Sequence, residues 1–451
     1  MTDCSVSVEL GFHPERPLHV TFDAPRISSD GGVLLLRQAD ERLGLSRWFS
    51  DCLVDTRDPA RVEHSRLEQV RQRVFQIAMG YEDCNDADRL RHDPLLTAAC
   101  DRHVADQKGL SSQPTLSRFE HSVTGGALNK LMRAFERTYV DELAADTTVV
   151  VLDIDTTDDP THGAQQLTFF HGFYDQHMYH PLLVFDGQTG QLVSALLRPG
   201  NAHACRSAWA LLSRLIRTIK TRFPKAQVVV RGDSGFAMPH LMAKLEALNA
   251  ELGDLDYLFG IAKNPVLLAL ATPAIEHARE IHVQTGAHVR HFSQLSYAAK
   301  TWPHPRHVIV KAEHGHKGSN PRFVVTTLTE FPPRLLYDLG YCARGQAENY
   351  IKDFKNALSA DRLSCTRFVA NAFRLLLHAA AYRLLFAVRN AAAHVDEQLG
   401  ALQFDTLRLR LLKVAAHVTT SARRIWIRIS QAFPLADAFG RVAHMLAPAP
   451  S

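Results

Sequence analysis

The stretch TTVVVLDID, running from Thr147 to Asp155, decides how the rest of the chain is read. Its β-branched run shows no polar alternation, which is the pattern of a strand covered on both faces. It ends in Asp153 and Asp155, two residues apart, so both carboxylates project to the same side of that strand. Working outward, strands are expected at Gln166 to His171 and Pro181 to Phe185. The turn Asp186-Gly187-Gln188-Thr189-Gly190 then leads into a strand at Leu192 to Leu197. A helix is expected from Ala204 to Arg222, stopped by Pro224. Another apolar strand, Ala226 to Val230, runs into Arg231-Gly232-Asp233-Ser234-Gly235 and a helix from Pro239 to Asn249. Strands alternating with helices in this way indicate a mixed α/β core.

Beyond that core, Tyr257 to Leu328 reads as strand-rich. After Phe331-Pro332-Pro333 the chain reads as helical to about residue 417. Upstream, residues 1 to 145 read as mainly helical, after a strand at Leu18 to Phe22 and a turn at Ser28 to Gly32. Helices are expected at Val33 to Leu43, Glu63 to Met79 and Ala127 to Leu143, and Ser117-x-x-Glu120 matches a capping box. Arg66, Arg71 and Arg73 on the second of these helices fit either a DNA-reading helix or a solvated one. The longest apolar stretch, Phe368 to Val388, is interrupted by Arg374, His378 and Arg383, which favours a buried helix over a membrane span.

The length of 451 residues suggests two or three domains, and a hydrophobic fraction of 46% suits a chain with a sizeable core. The start, Met1 to Leu10, has no apolar run of the secretory type. Seven scattered cysteines form no C-x-x-C pair, which excludes a disulfide framework and a zinc finger and makes a reducing cytoplasm the expectation. The net charge of +4 is unevenly spread. Residues 361–451 hold twelve Lys/Arg against five Asp/Glu, a net of +7, on a body near −3. A basic end of this kind suits nucleic acid, or simply a solvated face.

Asp153, Asp155 and Asp233 fall at strand ends, where sites of α/β sheets tend to be built. Alone, each also suits a turn or a helix cap. Brought together, carboxylates repel and require a proton or a cation, and Mg²⁺ or Mn²⁺ prefers such oxygen donors. A further element bears on the choice. Tyr341, Arg344, Glu348 and Lys355 follow the spacing Y-x2-R-x3-E-x6-K. On a helix they fall at roughly 0°, −60°, −20° and −40°, with Lys352 beside them at about +20°. A surface helix with i,i+4 salt pairs accounts for Arg344, Glu348 and Lys352 but not for Tyr341 or the bunched cations. A carboxylate holding metal among cations gripping phosphate accounts for them all.

These motifs resemble bacterial insertion-sequence transposases of the DDE type, in the branch with a tyrosine-arginine-glutamate-lysine signature, and most closely the insertion-sequence family numbered thirteen-eighty. The segments that carry the resemblance are SQPTLSRFE from Ser112, LDIDTTDDPTHG from Leu152, FFHGFYDQHMYHPL from Phe169, VVRGDSGF from Val229, YCARGQAENYIKDFK from Tyr341 and DRLSCTRFVANAFRLLLHAAAYRLL from Asp361. The resemblance implies a ribonuclease H-like α/β core, a fold whose element order matches the one above. The core would occupy residues 146–250 and 336–395, interrupted by a β-rich insertion at 251–335. A helical DNA-binding region would precede it at 1–145, and a basic helical region would follow at 396–451.

The resemblance further implies Asp155, Asp233 and Glu348 as the catalytic, metal-binding triad, with Asp153 a rival for Asp155 and Asp158 and Asp159 as turn residues. Two Mg²⁺ or Mn²⁺ ions are expected, with Tyr341, Arg344, Lys352 and Lys355 on DNA phosphates. Trp302 is either a stacking platform for an extruded base or part of a β-domain core. The implied partners are the element's terminal repeats and target DNA, bound by a dimer in the bacterial cytoplasm, with no membrane and no nucleotide cofactor. The implied reaction is cut-and-paste transposition. A nuclease of the same fold without strand transfer, or a regulator that has lost catalysis, are the alternatives. A serine hydrolase has no G-x-S-x-G to support it.

Overall fold

The structure, a computed structural model, describes residues 7–10, 18–21, 23–24, 26–104 and 108–448. The chain divides into two compact units, Glu120–Arg383 and Met1–Phe119 with Leu384–Ser451. The divisions between these units lie at 119/120 and 383/384. Both divisions fall inside helices, Gln113–His121 and Phe368–Val395, where no break in the sequence pattern marks them.

The unit Glu120–Arg383 is built on one mixed sheet. Its strands run in the order Val289–Tyr297, Arg306–Gly315, Arg322–Thr326, Leu255–Ile261, Gln227–Gly232, Val149–Thr156, Leu182–Asp186, Leu192–Leu196. The three central strands, Leu255–Ile261, Gln227–Gly232 and Val149–Thr156, are parallel, and every other pairing on the path is antiparallel. The apolar run at 147–155 thus lies in the middle of the sheet, as its lack of alternation predicts.

The period-2 geometry of a strand divides its side chains between two faces. Val150, Leu152, Ile154, Val228 and Val230 pack on one face against Leu211, Leu215 and Ile219 of the helix Ala208–Arg222 and Leu241 and Leu245 of the helix Pro239–Leu252. Val151 and Val229 take the other face, with Leu258, Ile309 and Val324, and are covered by Leu336 and Tyr337. That second face is therefore the one that carries Asp153, Asp155 and Arg231.

Residues 251–335 differ from the strand-rich reading. Leu255–Ile261 is itself a central parallel strand, and a 21-residue helix, Pro265–Thr285, follows it. The helix has the local signals of one. Asn264 accepts from the Leu267 N–H at its start, Pro265 sits in its first turn, and Gly286 ends it at φ 68°. Three antiparallel strands then extend the same sheet rather than forming a separate one. A second, small sheet joins Asp159–Pro160, Gln176–Tyr179 and Phe169–His171.

In the unit Met1–Phe119 with Leu384–Ser451, the helix Val33–Leu43 falls where expected, and Arg66–Ala78 is capped by Ser65, which accepts from the Glu68 N–H. Arg66, Arg71 and Arg73 are neither solvated nor turned outward. Arg71 is 1% exposed and donates to Ser46 and Asp40, and Arg73 is 0% exposed. The capping box expected at Ser117 is not one, because Ser117 lies inside the helix Gln113–His121. The C-terminal region is not wholly helical either. Ala416–Thr420 and Ile425–Ile429 form a hairpin that pairs with Ile27–Ser28. Among the described residues no helix is long and apolar enough to cross a membrane.

Candidate active site

Register builds the site. In the parallel pair Val149–Thr156 and Gln227–Gly232, Asp153 lies beside Arg231 and Ile154 beside Gly232. The ladder ends there, and the next residue of each chain segment is Asp155 on one and Asp233 on the other, close enough for their charges to interact. Position 153 therefore meets an opposite charge across the ladder, and position 155, on the same face, meets a like charge.

Asp153 is 0% exposed, and both its oxygens are taken by Arg231, Nε at 2.6 Å and Nη2 at 2.8 Å. Arg231 also donates from Nη1 to the Gly340 carbonyl at 2.7 Å, tying the strand to the covering helix. Gly187 closes this pair: a Cβ there would come within 2.3 Å of Arg231 Nη2 and 2.6 Å of Asp153 Oδ2. Burial pushes the Asp153 carboxyl upward while Arg231 pulls it down.

Asp155 is differently placed. Its Oδ1 accepts from the Thr156 N–H at 2.8 Å, and its Oδ2 accepts one donor, Arg344 Nη2, at 2.7 Å. Burial pushes its pKa up to about 6. The charges of Asp233 and Glu348 add to that push, and Arg344 and the Thr156 N–H oppose it. Asp233 follows the strand at a turn in which its Oδ1 accepts from the Gly235 N–H at 2.9 Å and its carbonyl from Phe236 N at 3.2 Å.

The signature residues lie on a helical path that is not one regular α-helix. Leu336–Tyr341 has π-type spacing, Cys342–Gly345 is 3₁₀, Gln346–Lys352 is α and Asp353–Ala357 is π again. Tyr341 packs its hydroxyl over Gly260, where a Cβ would stand 2.5 Å from it and 3.4 Å from Ser234 N. Burial raises the Tyr341 pKa, and Asp233 and Asp155 reinforce the shift against the pull of Arg344. Arg344 Nε is buried with no hydrogen-bond partner. Glu348 and Lys352 are exposed, and Lys355 pairs with Asp158 at 2.6 Å and reaches Asp361 at 3.7 Å. Tyr341, Arg344, Asp155, Asp233 and Glu348 thus share one electrostatic neighbourhood, and Lys355 enters through Asp158. Trp302 is placed elsewhere. Its ring stands edge-on to Tyr297 at 5.2 Å under the Arg306 guanidinium at 5.1 Å, at the margin of the main core.

Three features went unread in the sequence. Asp158 is an ion-pair partner of Lys355, and Asp159 is 1% exposed in a strand with neither carboxylate oxygen hydrogen-bonded, so neither is simply a turn residue. Burial holds the Asp159 carboxyl well above the usual carboxylate range. Tyr174 lies in the field of Asp158, Asp155 and Asp233. The density of aromatic and histidine residues in FFHGFYDQHMYH, from Phe169, was the available signal. A surface cavity of about 560 Å³ is lined instead by Arg133, Arg137, Arg214 and Arg217 with Glu136, and by none of the carboxylates above.

The donor chemistry suits a hard divalent ion: oxygens from Asp155, Asp233 and Glu348, with mutual repulsion that a cation relieves. As placed, the side chains do not form a finished cage. Among the described residues no three His, Cys, Asp or Glu side chains are grouped to hold one ion, and Arg344 supplies the countercharge at Asp155.

No curated protein matches the chain. Among solved structures, a piggyBac transposase synaptic complex with hairpin DNA aligns over 84% of this chain and 78% of its own, at 10% identity and a TM-score of 0.42. The family described as transposase DDE domain group 1 matches residues 11–451. That match spans nearly the whole sequence, and the chain belongs to the DDE transposase family.

Proposed function

We propose that this protein is a metal-dependent insertion-sequence transposase that cuts DNA at its element's ends and joins them to target DNA by a cut-and-paste route. Its core is read as ribonuclease H-like, and its insertion-sequence relatives as the family numbered thirteen-eighty. The observation that carries the proposal is the like-charged pair Asp155 and Asp233 at adjacent strand ends, beneath a helical path that brings Tyr341, Arg344 and Glu348 into their field.

DDE transposase domains generally use divalent metal ions. Here Asp155, Asp233 and Glu348 would hold two Mg²⁺ or Mn²⁺ ions, which when bound supply an activated nucleophile and charge stabilisation at the scissile phosphate. The remaining groups position DNA. Arg344 holds Asp155 through one arm and has an unused Nε–H. Tyr341 fixes the helix against Gly260 and the Ser234 turn. Lys352, exposed, attracts phosphate, and Lys355 ties the helix to Asp158. Joining two ends requires two active sites, so a dimer on DNA in the bacterial cytoplasm is the working state.

The test is cleavage of a duplex carrying the inverted repeats that flank the gene. Asp155→Asn, Asp233→Asn and Glu348→Gln should each lower nicking in Mg²⁺ by about 100-fold or more, because a metal-held charge contributes several kcal/mol. End binding should largely survive, since phosphate contacts lie apart from the metal ligands. Undiminished cleavage removes the altered residue from the mechanism. Cleavage without strand-transfer products would instead describe a nuclease, and binding without cleavage in any metal a regulator.

A further inference from the structure

Four guanidiniums surround one surface cavity of about 560 Å³, a volume within the range of ligand pockets. Arg133 and Arg137 come from the helix Gly125–Glu142, and Arg214 and Arg217 from the helix Ala208–Arg222. Between them the lining is short and uncharged at Ala210, Ser213 and Thr218, and Glu136 is its one carboxylate. Tyr139 and Val140 of the first helix and Leu211 and Leu215 of the second pack in the core that holds Val150, Leu152 and Ile154. Both helices therefore lie on the sheet face opposite Asp153 and Asp155, and the sheet stands between the cavity and those carboxylates.

The charges around this cavity do not balance. Glu136, 3% exposed, accepts from Arg214 through both oxygens, Nε at 2.7 Å and Nη2 at 2.6 Å, and from the Ser194 hydroxyl at 2.8 Å. Glu251 takes Arg217 at 2.7 Å, and further along the same helix Asp141 takes Arg222 at 3.2 Å. Arg133 and Arg137 are exposed and have no hydrogen bond or ion pair among the described residues. They stand one turn apart on one helix face, where like charges repel. Two of the four cations are matched and two are not, which leaves +2 uncompensated around the cavity. A solvated basic face needs neither a cavity nor a buried carboxylate that orients one of its arginines.

Taking the transposase reading as given, we propose that this cavity is a second phosphate-binding site, which grips DNA backbone remote from the scissile phosphate. A guanidinium fork matches phosphate oxygens in charge and in geometry. Each phosphate gripped also releases condensed counterions, which favours binding. A phosphate held behind the sheet is not the one facing Asp155, so the site holds a further stretch of DNA. Contacts to backbone carry no sequence information, and the cavity accepts any sequence. Arg133 and Arg137 supply the unmatched charge, Arg214 supplies a fixed fork, and Glu136 keeps that fork oriented. These residues bind and touch no reacting atom.

The test measures duplex binding by the full-length protein in EDTA, so that no cleavage intervenes, across a series of salt concentrations. Wild type is compared with the double variants Arg133→Ala/Arg137→Ala and Arg133→Lys/Arg137→Lys. One duplex carries the flanking inverted repeat, and another of equal length has mixed sequence. The alanine variant should bind both duplexes about 10-fold more weakly at moderate salt. Its slope of log affinity against log salt should shrink by about 1.8, since each phosphate contact contributes about 0.9. The lysine variant should keep most of the slope, because the charge remains. Without DNA, the alanine variant should melt like wild type, since neither side chain has a partner to lose and Ala suits a helix. Inorganic triphosphate, added to each protein in place of DNA, separates backbone from a free phosphate chain.

Equal affinity and slope in wild type and the alanine variant overturn the site, while nicking of the repeat duplex by wild type in Mg²⁺ leaves the transposase reading intact. Failure of wild type to nick overturns that reading instead. A loss confined to the inverted-repeat duplex overturns backbone gripping, because it would mean that bases are read. If triphosphate raises the melting temperature of wild type but not of the alanine variant, and duplex binding is unchanged, the cavity serves a free phosphate chain and the assignment to DNA fails.

Discussion

Two buried aspartates, two residues apart on one strand and facing the same way, have opposite fates. Asp153 meets Arg231 across the ladder. Both its oxygens are taken, and Gly187 leaves no room for anything else. Asp155 meets Asp233, shares one oxygen with Arg344, and feels Glu348 as well. The inner pair is a closed ion pair. The outer pair is a charge imbalance held in check by one guanidinium. Burial alone does not distinguish the two carboxylates; the charges around each one do.

The largest effect should come from breaking the closed pair. Asp153→Asn leaves Arg231 buried without a full countercharge, and urea unfolding should show a loss of about 3–5 kcal/mol. The corresponding change at the open pair, Asp155→Asn, removes a repelled carboxylate and should cost far less stability while abolishing cleavage. Comparable destabilisation by the two substitutions would erase the distinction drawn between them.

A smaller effect sharpens the same contrast through pH. The Asp155 carboxyl has its pKa raised to about 6 in the folded protein, from an ordinary value of 3.8. Between those values the folded state holds a proton that the unfolded state has released, so stability falls as pH rises through this window and levels off above it. Without divalent ions, wild type should lose roughly 2–3 kcal/mol more than Asp155→Asn between pH 4 and 7, since a tenfold difference in proton affinity between the two states is worth about 1.4 kcal/mol. Parallel stability curves for the two proteins would show that Asp155 is not strained in this way.

The smallest expected effect is ligand linkage. Mn²⁺ at tenfold over its Kd should stabilise wild type by about 1.4 kcal/mol, seen as a rise in melting temperature, and leave Asp155→Asn unmoved. Asp153 variants that still fold should respond like wild type, because their change lies outside the open pair.

Much of this was legible along the chain. The β-branched run at 147–155 announced a central strand, and Gly and Pro marked the ends of the helices around it. Local signals also existed where the reading went astray. Asn264-Pro265 and Gly286 bracket a helix inside the stretch read as strand-rich, because the apolar strand segments on either side of it set the reading of the whole stretch. The regular wheel drawn through Tyr341 to Lys355 placed the signature on one stripe, although the backbone shifts between π, 3₁₀ and α geometry along it. The hairpin at 169–179 was visible only as a density of rings, because sequence does not say which rings are left uncovered.

By itself the sequence determined which residues could form strands and helices and which types of group were available for chemistry, because backbone preference and side-chain periodicity act over a few residues. It left Asp153 and Asp155 equivalent. Only the tertiary structure separated them, since the partner of each comes from a distant strand and is set by register. One residue of slip on Gln227–Gly232 would move Arg231 and Asp233 to the opposite face and leave both aspartates without the neighbours described above.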